Sequence, residues 1–197
     1  MPSLRPLFAN GGAICAPLFL NPMMAKLAEK EGFEALYLGG GATGYAKVML
    51  EANRNGTEMC TAGTEIAAET NLPLILDGAT GFGDPMHMHR TIPMVETAGF
   101  AAIEIEDQFI PKRAHHHIGT ERMIEPELMA AKVAECCAAR RSDDFVIIAR
   151  TNAVRNTGID DAIRRLEMYK KAGRTCCSPP PAMPTKPAFS ASVCRRP

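Results

Sequence analysis

The sequence has no excess of either charge: Lys plus Arg and Asp plus Glu both number 22 among 197 residues. That balance gives no electrostatic case for nucleic acid or an anionic membrane as partner. Its seven cysteines show no metal-ligand spacing. Cys136-Cys137 and Cys176-Cys177 are adjacent pairs, and sequence neighbours rarely bridge. The expectation is reduced thiols in a cytoplasmic protein. Long apolar runs are also missing. Pro6 to Ala25 is uncharged, but Asn10, Gly11, Gly12 and Pro17 interrupt it, which argues against a signal peptide and a membrane span.

What is present is ordinary globular material, 46% apolar and 22% charged, enough for one well-buried domain. The organising stretch is Pro73-Leu-Ile-Leu-Asp-Gly-Ala-Thr-Gly-Phe-Gly83. Leu74, Ile75 and Leu76 suit a strand buried on both faces. Asp77 then falls where the strand leaves the core, with Gly81 and Gly83 permitting a tight turn behind it. An acid in that position serves either as a turn cap or as part of a site.

Taken in order, Ala13 to Pro17 reads as a first strand. Asn21-Pro22 caps a helix from Met23 to about Lys30, with Met24, Leu27 and Ala28 inward and Gly32 as its stop. Ala35 to Leu38 is a second strand, ending in Gly39-Gly40-Gly41, whose backbone suits close approach of an anion or a plain turn. The pattern is weak from Ala42 to Asn55, and Thr57 to Glu69 is helical.

After the glycine loop, Asp84-Pro85 starts a helix carrying Met88, Ile92 and Val95 inward, loosened by Pro93. Ala101 to Asp107 is a fourth strand ending in carboxylates. A basic loop, Pro111-Lys-Arg-Ala-His-His-His117, follows. Glu125 to Arg141 is a helix burying Leu128, Val133 and Cys137. Phe145 to Ala149 is a fifth strand that delivers Arg150, Thr151 and Asn152. Ile159, Ile163, Leu166 and Tyr169 mark a last helix closed by Gly173.

Strand and helix alternate five times, the pattern of a parallel α/β protein. Parallel strands point one way, so Asp77, Glu106, Asp107 and Arg150 converge on one face. Acids plus an arginine there point to a divalent ion and an anionic substrate.

Four segments, Ala35 to Gly41, Asp77 to Gly83, Ile103 to Gln108 with Pro111-Lys-Arg113, and Ala149 to Ala153, together resemble the isocitrate lyase/phosphoenolpyruvate mutase superfamily. The likeness runs from about Pro17 to Gly173. It implies a parallel (β/α)8 TIM-type barrel, incomplete here, with about five βα units over residues 1–173. It also implies Mg²⁺ or Mn²⁺, and cleavage next to the carboxylate of a small 2-oxo or 2-hydroxy acid by a homo-oligomeric full-length parent. By position, Asp77 matches the metal-touching acid and Glu106 the acid that holds the metal's water shell and serves catalysis. Arg150, with Asn152 beside it, matches the grip on a substrate carboxylate. Gly40 and Gly41 match backbone donors to that anion, and Lys112 a lysine of the mobile lid.

The sequence departs from the family pattern at three places. Ala79 stands where a second acid is usual, and Gly39 where a serine is common. Ala114 stands where the lyases carry a cysteine acid/base, and an alanine transfers no proton. His115, His116 or His117 offers a replacement, His116 being the candidate taken. A lyase or decarboxylase is the leading expectation; a member that only binds a small carboxylate is the alternative.

Residues 174–197 break the pattern. Three adjacent prolines, Pro179 to Pro181, cannot sit in a central strand. The stretch reads either as an irregular tail or as the product of a shifted reading frame. With suitable codons, the shifted frame encodes an apolar strand, a turn and an amphipathic helix.

Overall fold

The computed structural model describes residues 2–9, 13–109, 111–112, 121–175 and 192–194. His116, with the rest of the histidine run and Ala114, lies outside them. Four parallel strands lie side by side in sequence order: β1 (Leu36–Leu38), β2 (Leu74–Asp77), β3 (Ala102–Glu106) and β4 (Val146–Arg150). This is a (β/α) barrel segment, each strand followed by helical structure.

The two faces of the sheet have different company. Leu36, Leu38, Leu74, Leu76, Ile103, Ile105, Ile147 and Ala149 form the larger core with the helices. Successive strand residues alternate faces, so Tyr37, Ile75, Ala102, Val146 and Ile148 belong to the opposite, inner face. At its base that face is covered by the short helix α1 (Arg5–Ala9) and its flanking Leu4, which is fully buried.

Helix α2 (Pro22–Lys30) starts with Pro22 inside it, and the Asn21 side chain accepts the Met24 N–H at 2.9 Å. Gly32 takes φ +84, a left-handed stop. Its buried residue is Ala25; Met24 and Leu27 are exposed, contrary to expectation. The helix flanks β1, the edge strand of the sheet, so one side of it meets no helix among the described residues.

Helix α4 (Gly56–Ala67) opens on a reciprocal cap, with the Asn55 side chain accepting the Glu58 N–H and Glu58 accepting the Asn55 N–H, both at 3.0 Å. Helix α5 (Met88–Thr97) buries Met88, Ile92 and Val95 as expected. It follows a 3-10 turn, Pro85–His87, and contains Pro93. Helix α6 (Pro126–Ala139) buries Val133 and Cys137, but leaves Leu128 exposed.

Three further expectations are corrected. Ala13 to Pro17 is not a regular strand: contact with β1 is a single parallel bridge, Leu18 to Tyr37. The glycine triplet begins a helix, α3 (Gly40–Ala46), with Gly39 as its cap. A short helix α7 (Ala153–Asn156) precedes α8 (Ile159–Thr175), which runs through Gly173. Within α8, Tyr169 is buried while Ile159 and Ile163 are exposed. Residues 192–194 of the tail form β5 (Ser192–Cys194), which pairs antiparallel with β4.

Candidate functional site

The strand ends carry the inner-face alternation into a cluster of charge. Register places Asp77 opposite Glu104 and Glu106 opposite Arg150. Because side chains two apart share a face, Glu104 and Glu106 both point inward. Arg150 spans them: Nη1 donates to Glu104 Oε1 at 2.9 Å, and Nη2 pairs with Glu106 Oε2. Asn152 Nδ2 donates to the same Glu106 oxygen at 2.9 Å. Lys112 Nζ lies 2.5 Å from Glu106 Oε1 and 2.7 Å from Glu51 Oε1.

Glu106 is almost wholly buried, at 1% exposure. Burial alone raises a carboxyl pKa, but Arg150, Lys112 and Asn152 outweigh it and hold Glu106 below the usual range. Lys112 shows the mirror case, in which burial lowers and the stronger pull of Glu106 and Glu51 raises, so its ammonium is retained. Burial and the charges of Asp77 and Glu104 raise the Tyr37 phenol. It therefore stays protonated and donates to Glu104 Oε1 at 2.9 Å.

Asp77 leaves the strand partly exposed. Its Oδ2 accepts the Gly40 N–H at 2.8 Å, and its Oδ1 accepts the Ala79 N–H at 3.0 Å. One carboxylate thus ties the loop after β1 to the turn after β2, and lone pairs remain on both oxygens. The Gly40 donor, expected to face an anionic ligand, is engaged by Asp77; Gly41 occupies the next position of α3.

The turn behind Asp77 is conformationally costly. Ala79 (φ 48), Gly81 (φ 84) and Phe82 (φ 59) are all left-handed, and for non-glycine residues this costs about 1–2 kcal/mol each. It is braced from below, where the buried Lys132 donates from Nζ to the Thr80 carbonyl at 2.9 Å. Beside this turn lies a pocket of about 430 Å3. Its lining includes Glu51, Arg54, Thr80, Phe82 and Lys112.

Asp107, read from sequence with the strand-end acids, belongs to the framework. It is fully buried and accepts from Thr151 Oγ1 at 2.6 Å, the Asn152 N–H at 3.0 Å and Tyr169 Oη at 2.8 Å. Arg165 Nη1 sits 3.3 Å from it. The structure therefore brings together Asp77, Glu106, Lys112, Arg150 and Asn152, and adds Tyr37, Glu51, Arg54 and Glu104. Glu104 had a signal, its alternation with Glu106. Glu51 and Arg54 come from a stretch without periodicity.

For a metal, the donors are hard oxygens, the chemistry Mg²⁺ takes. Among the described residues no group of three or more His, Cys, Asp or Glu side chains converges as a closed cage would need. Mg²⁺ requires less, keeping several waters on one or two carboxylates. Asp77, partly exposed with free lone pairs, meets that condition.

A family model described as phosphoenolpyruvate phosphomutase matches residues 4–195. A 2-methylisocitrate lyase of Aeropyrum pernix is 39% identical over 171 residues, covering 86% of this chain and 54% of that protein. The 2,3-dimethylmalate lyase of Eubacterium barkeri is 34% identical over 176 residues, covering 86% and 59%. A solved phosphonopyruvate hydrolase in complex with oxalate and Mg²⁺ superposes with a TM-score of 0.79 at 33% identity, covering 86% of this chain and 59% of that one. The chain spans a little over half the length of the relatives it matches. With the order of strands, the charged strand ends and these likenesses in agreement, the chain belongs to the phosphoenolpyruvate phosphomutase family.

Proposed function

We propose that this protein is a Mg²⁺-dependent lyase or decarboxylase that cleaves a C–C bond next to the carboxylate of a small 2-oxo or 2-hydroxy acid. The observation that carries the reading is the placement of Arg150 between Glu104 and Glu106 at the strand ends, beside Asp77. Relatives named as lyases of methylisocitrate and dimethylmalate, and one named oxaloacetate decarboxylase, support it.

In this reading Asp77 would hold the ion and Glu106 would hold its water shell. The ion supplies electrophilic stabilisation of the negative charge that bond cleavage leaves on the substrate. Arg150 grips the substrate carboxylate with the donors its two glutamates leave free, a planar fork suited to that group. Asn152 and Lys112 fix Glu106, and Lys112 keeps a proton at Nζ that faces the site. Gly40 and Gly41 set the backbone wall opposite, and His116 is the acid/base candidate from the lid. The full-length parent is a homo-oligomer on the same reading.

Ala79 favours a second reading, a member that binds a small carboxylate without turning it over. A methyl group at that position supplies no oxygen to a metal or its waters. Thermal melts of the protein with Mg²⁺ and oxalate, alone and together, test the site. A rise in melting temperature that needs both is expected, and no rise removes the metal assignment. Assays with oxaloacetate and 2-methylisocitrate then separate the readings: ligand-induced stabilisation without turnover selects the binding protein.

A further inference from the structure

Lys132 lies in the middle of α6 and is 1% exposed. Met129, Val133 and Cys136 on the same helix are buried with it. A charged group in that position costs far more than a methionine of similar length, so packing does not account for it. Burial pulls its pKa below the ordinary lysine value, and the charges of Asp84 and Cys136 offset only part of that. What the side chain reaches is a backbone group: Nζ donates to the Thr80 carbonyl at 2.9 Å.

That carbonyl belongs to the turn behind Asp77. It lies between two left-handed residues, Ala79 and Gly81, with a third at Phe82. Such a conformation is unfavourable for alanine and phenylalanine and persists only where the surroundings hold it. Here each carbonyl of the turn is taken by a different element. The Glu106 N–H at the end of β3 donates to the Ala79 carbonyl at 2.7 Å, and Thr91 Oγ1 of α5 donates to that of Gly81 at 3.0 Å. Lys132 of α6 takes the Thr80 carbonyl between them. With its carbonyls engaged by the scaffold, the turn presents the Ala79 amide to Asp77 Oδ1 at 3.0 Å. Lys132 is the cation among these donors, and it binds the peptide that joins the two left-handed positions.

We propose that Lys132 is a positioning residue for the metal site: through the Thr80 carbonyl it holds the turn in the shape that fixes the Asp77 carboxylate for Mg²⁺. This rests on the reading that Asp77 is the metal-holding acid. Lys132 lines no part of the pocket beside the turn, so its effect passes through the backbone. Without the cation the buried Thr80 carbonyl loses its donor, the left-handed residues relax, and the Ala79 amide leaves Asp77 Oδ1. The carboxylate then keeps the Gly40 N–H alone and turns more freely. Binding the ion must then also order the side chain, which weakens the affinity.

Lys132→Met removes the cation and keeps the length of the side chain. Val133→Ala, which opens a small cavity on the same helix, is the control for lost stability alone. Two measurements on the intact chain separate the roles. Hydrogen exchange without metal follows the amides of residues 78–82, and calorimetry with Mg²⁺ in the presence of oxalate follows the ion. Lys132→Met is expected to lose protection at Ala79 and Gly81 and to bind Mg²⁺ about tenfold or more weakly, the usual effect of removing a group that orients a metal ligand. Val133→Ala is expected to melt at a lower temperature while its turn exchange and Mg²⁺ affinity match the parent. Should the methionine variant not fold, Lys132→Gln, a shorter side chain that keeps a donor, is read in the same way with a smaller effect expected. Parent-like exchange or parent-like Mg²⁺ affinity in the Lys132 variant, or equal changes in Val133→Ala, overturns the positioning role. Loosened exchange in the variant with no Mg²⁺ binding by the parent sinks the metal reading of Asp77, and the proposal with it.

Discussion

Glu106 and Arg150 are register partners on adjacent parallel strands, and their side chains pair across the ladder at the mouth of the sheet. Removing the guanidinium would leave Glu106, 1% exposed, to Lys112 and Asn152 alone. Because the folded pKa of Glu106 is depressed, its contribution to stability is full above the ordinary glutamate value of 4.5. That contribution is lost as pH falls through the lower folded value. Arg150→Gln should therefore lose more stability at pH 7 than at pH 3, measured by urea unfolding at the two pH values. An equal loss at both would show that the pair does not hold the proton off Glu106.

Asp77 serves two functions that a substitution can separate. Asp77→Ala should abolish Mg²⁺-dependent stabilisation by oxalate while leaving the protein folded. The structure adds a cost: the Gly40 and Ala79 amides lose their acceptor. About 1–3 kcal/mol of stability is expected to go with them. Asp77→Asn keeps one acceptor oxygen for one of the two amides and sets its NH2 against the other, so it should recover only part of the stability and little of the metal response. A variant that melts like the parent and still responds to Mg²⁺ would make Asp77 neither ligand nor anchor.

Much of this site was legible before any coordinates. Leu74 to Leu76 and Val146 to Ile148 are unbroken apolar runs because both faces of a parallel strand are covered, and a charge ending such a run has to face the strand end. Glu104 lies inside its strand and not at the end, so its only signal is the face it shares with Glu106 two residues on. Asp107 follows Glu106 by one residue, so it turns to the other side of the strand and meets Tyr169. Glu51 and Arg54 had no local signal at all. Their positions depend on α3 and a 3-10 turn at Glu51–Asn53, formed in a stretch whose composition reads as loop. Glycine misled at the end of α8, since Gly32 ends α2 by adopting φ +84 whereas α8 continues past Gly173.

The buried Asp107 network makes a prediction about the framework. Tyr169 Oη donates to Asp107 Oδ2 at 2.8 Å in a fully buried setting, with Thr151 and Arg165 on the same oxygen. Tyr169→Phe should cost about 1–2 kcal/mol, read as a lower urea midpoint with an unchanged slope. Asp107→Ala should cost more, because it removes the acceptor of the Tyr169 and Thr151 hydroxyls and of the Asn152 amide at once, while Arg165 keeps Asp161 at 2.9 Å. Equal losses in the two variants would mean that the tyrosine hydroxyl carries the whole network.

The region after Gly173 invites a test at the level of the gene. β5 runs antiparallel to β4, whereas β1 to β4 are all parallel, and the next strand of a (β/α) barrel is parallel to its neighbours. The prolines at 179–181 fit neither arrangement of a central strand. Sequencing the coding DNA beyond the Gly173 codon is expected to reveal a shifted frame that encodes an apolar strand and an amphipathic helix. An alternative frame without such a strand would remove the shift and leave the tail as native sequence.

The last prediction concerns the residue that most weakens the catalytic reading. Ala79 adopts φ 48, a conformation that aspartate and asparagine tolerate better than alanine. It lines the pocket and donates its amide to Asp77, two residues away in the same turn. Ala79→Asp would therefore place a second carboxylate beside the first without asking the backbone to move. Two oxygens in place of one should tighten Mg²⁺ by about tenfold or more, since hard cations gain affinity with ligand charge. Calorimetric titration with Mg²⁺ measures this directly. The variant should be at least as stable as the parent at high Mg²⁺, and less stable without it, because two adjacent carboxylates repel when no cation lies between them. Unchanged Mg²⁺ affinity with unchanged stability would mean that position 79 does not face the ion, and the metal would then rest on Asp77 and Glu106 alone.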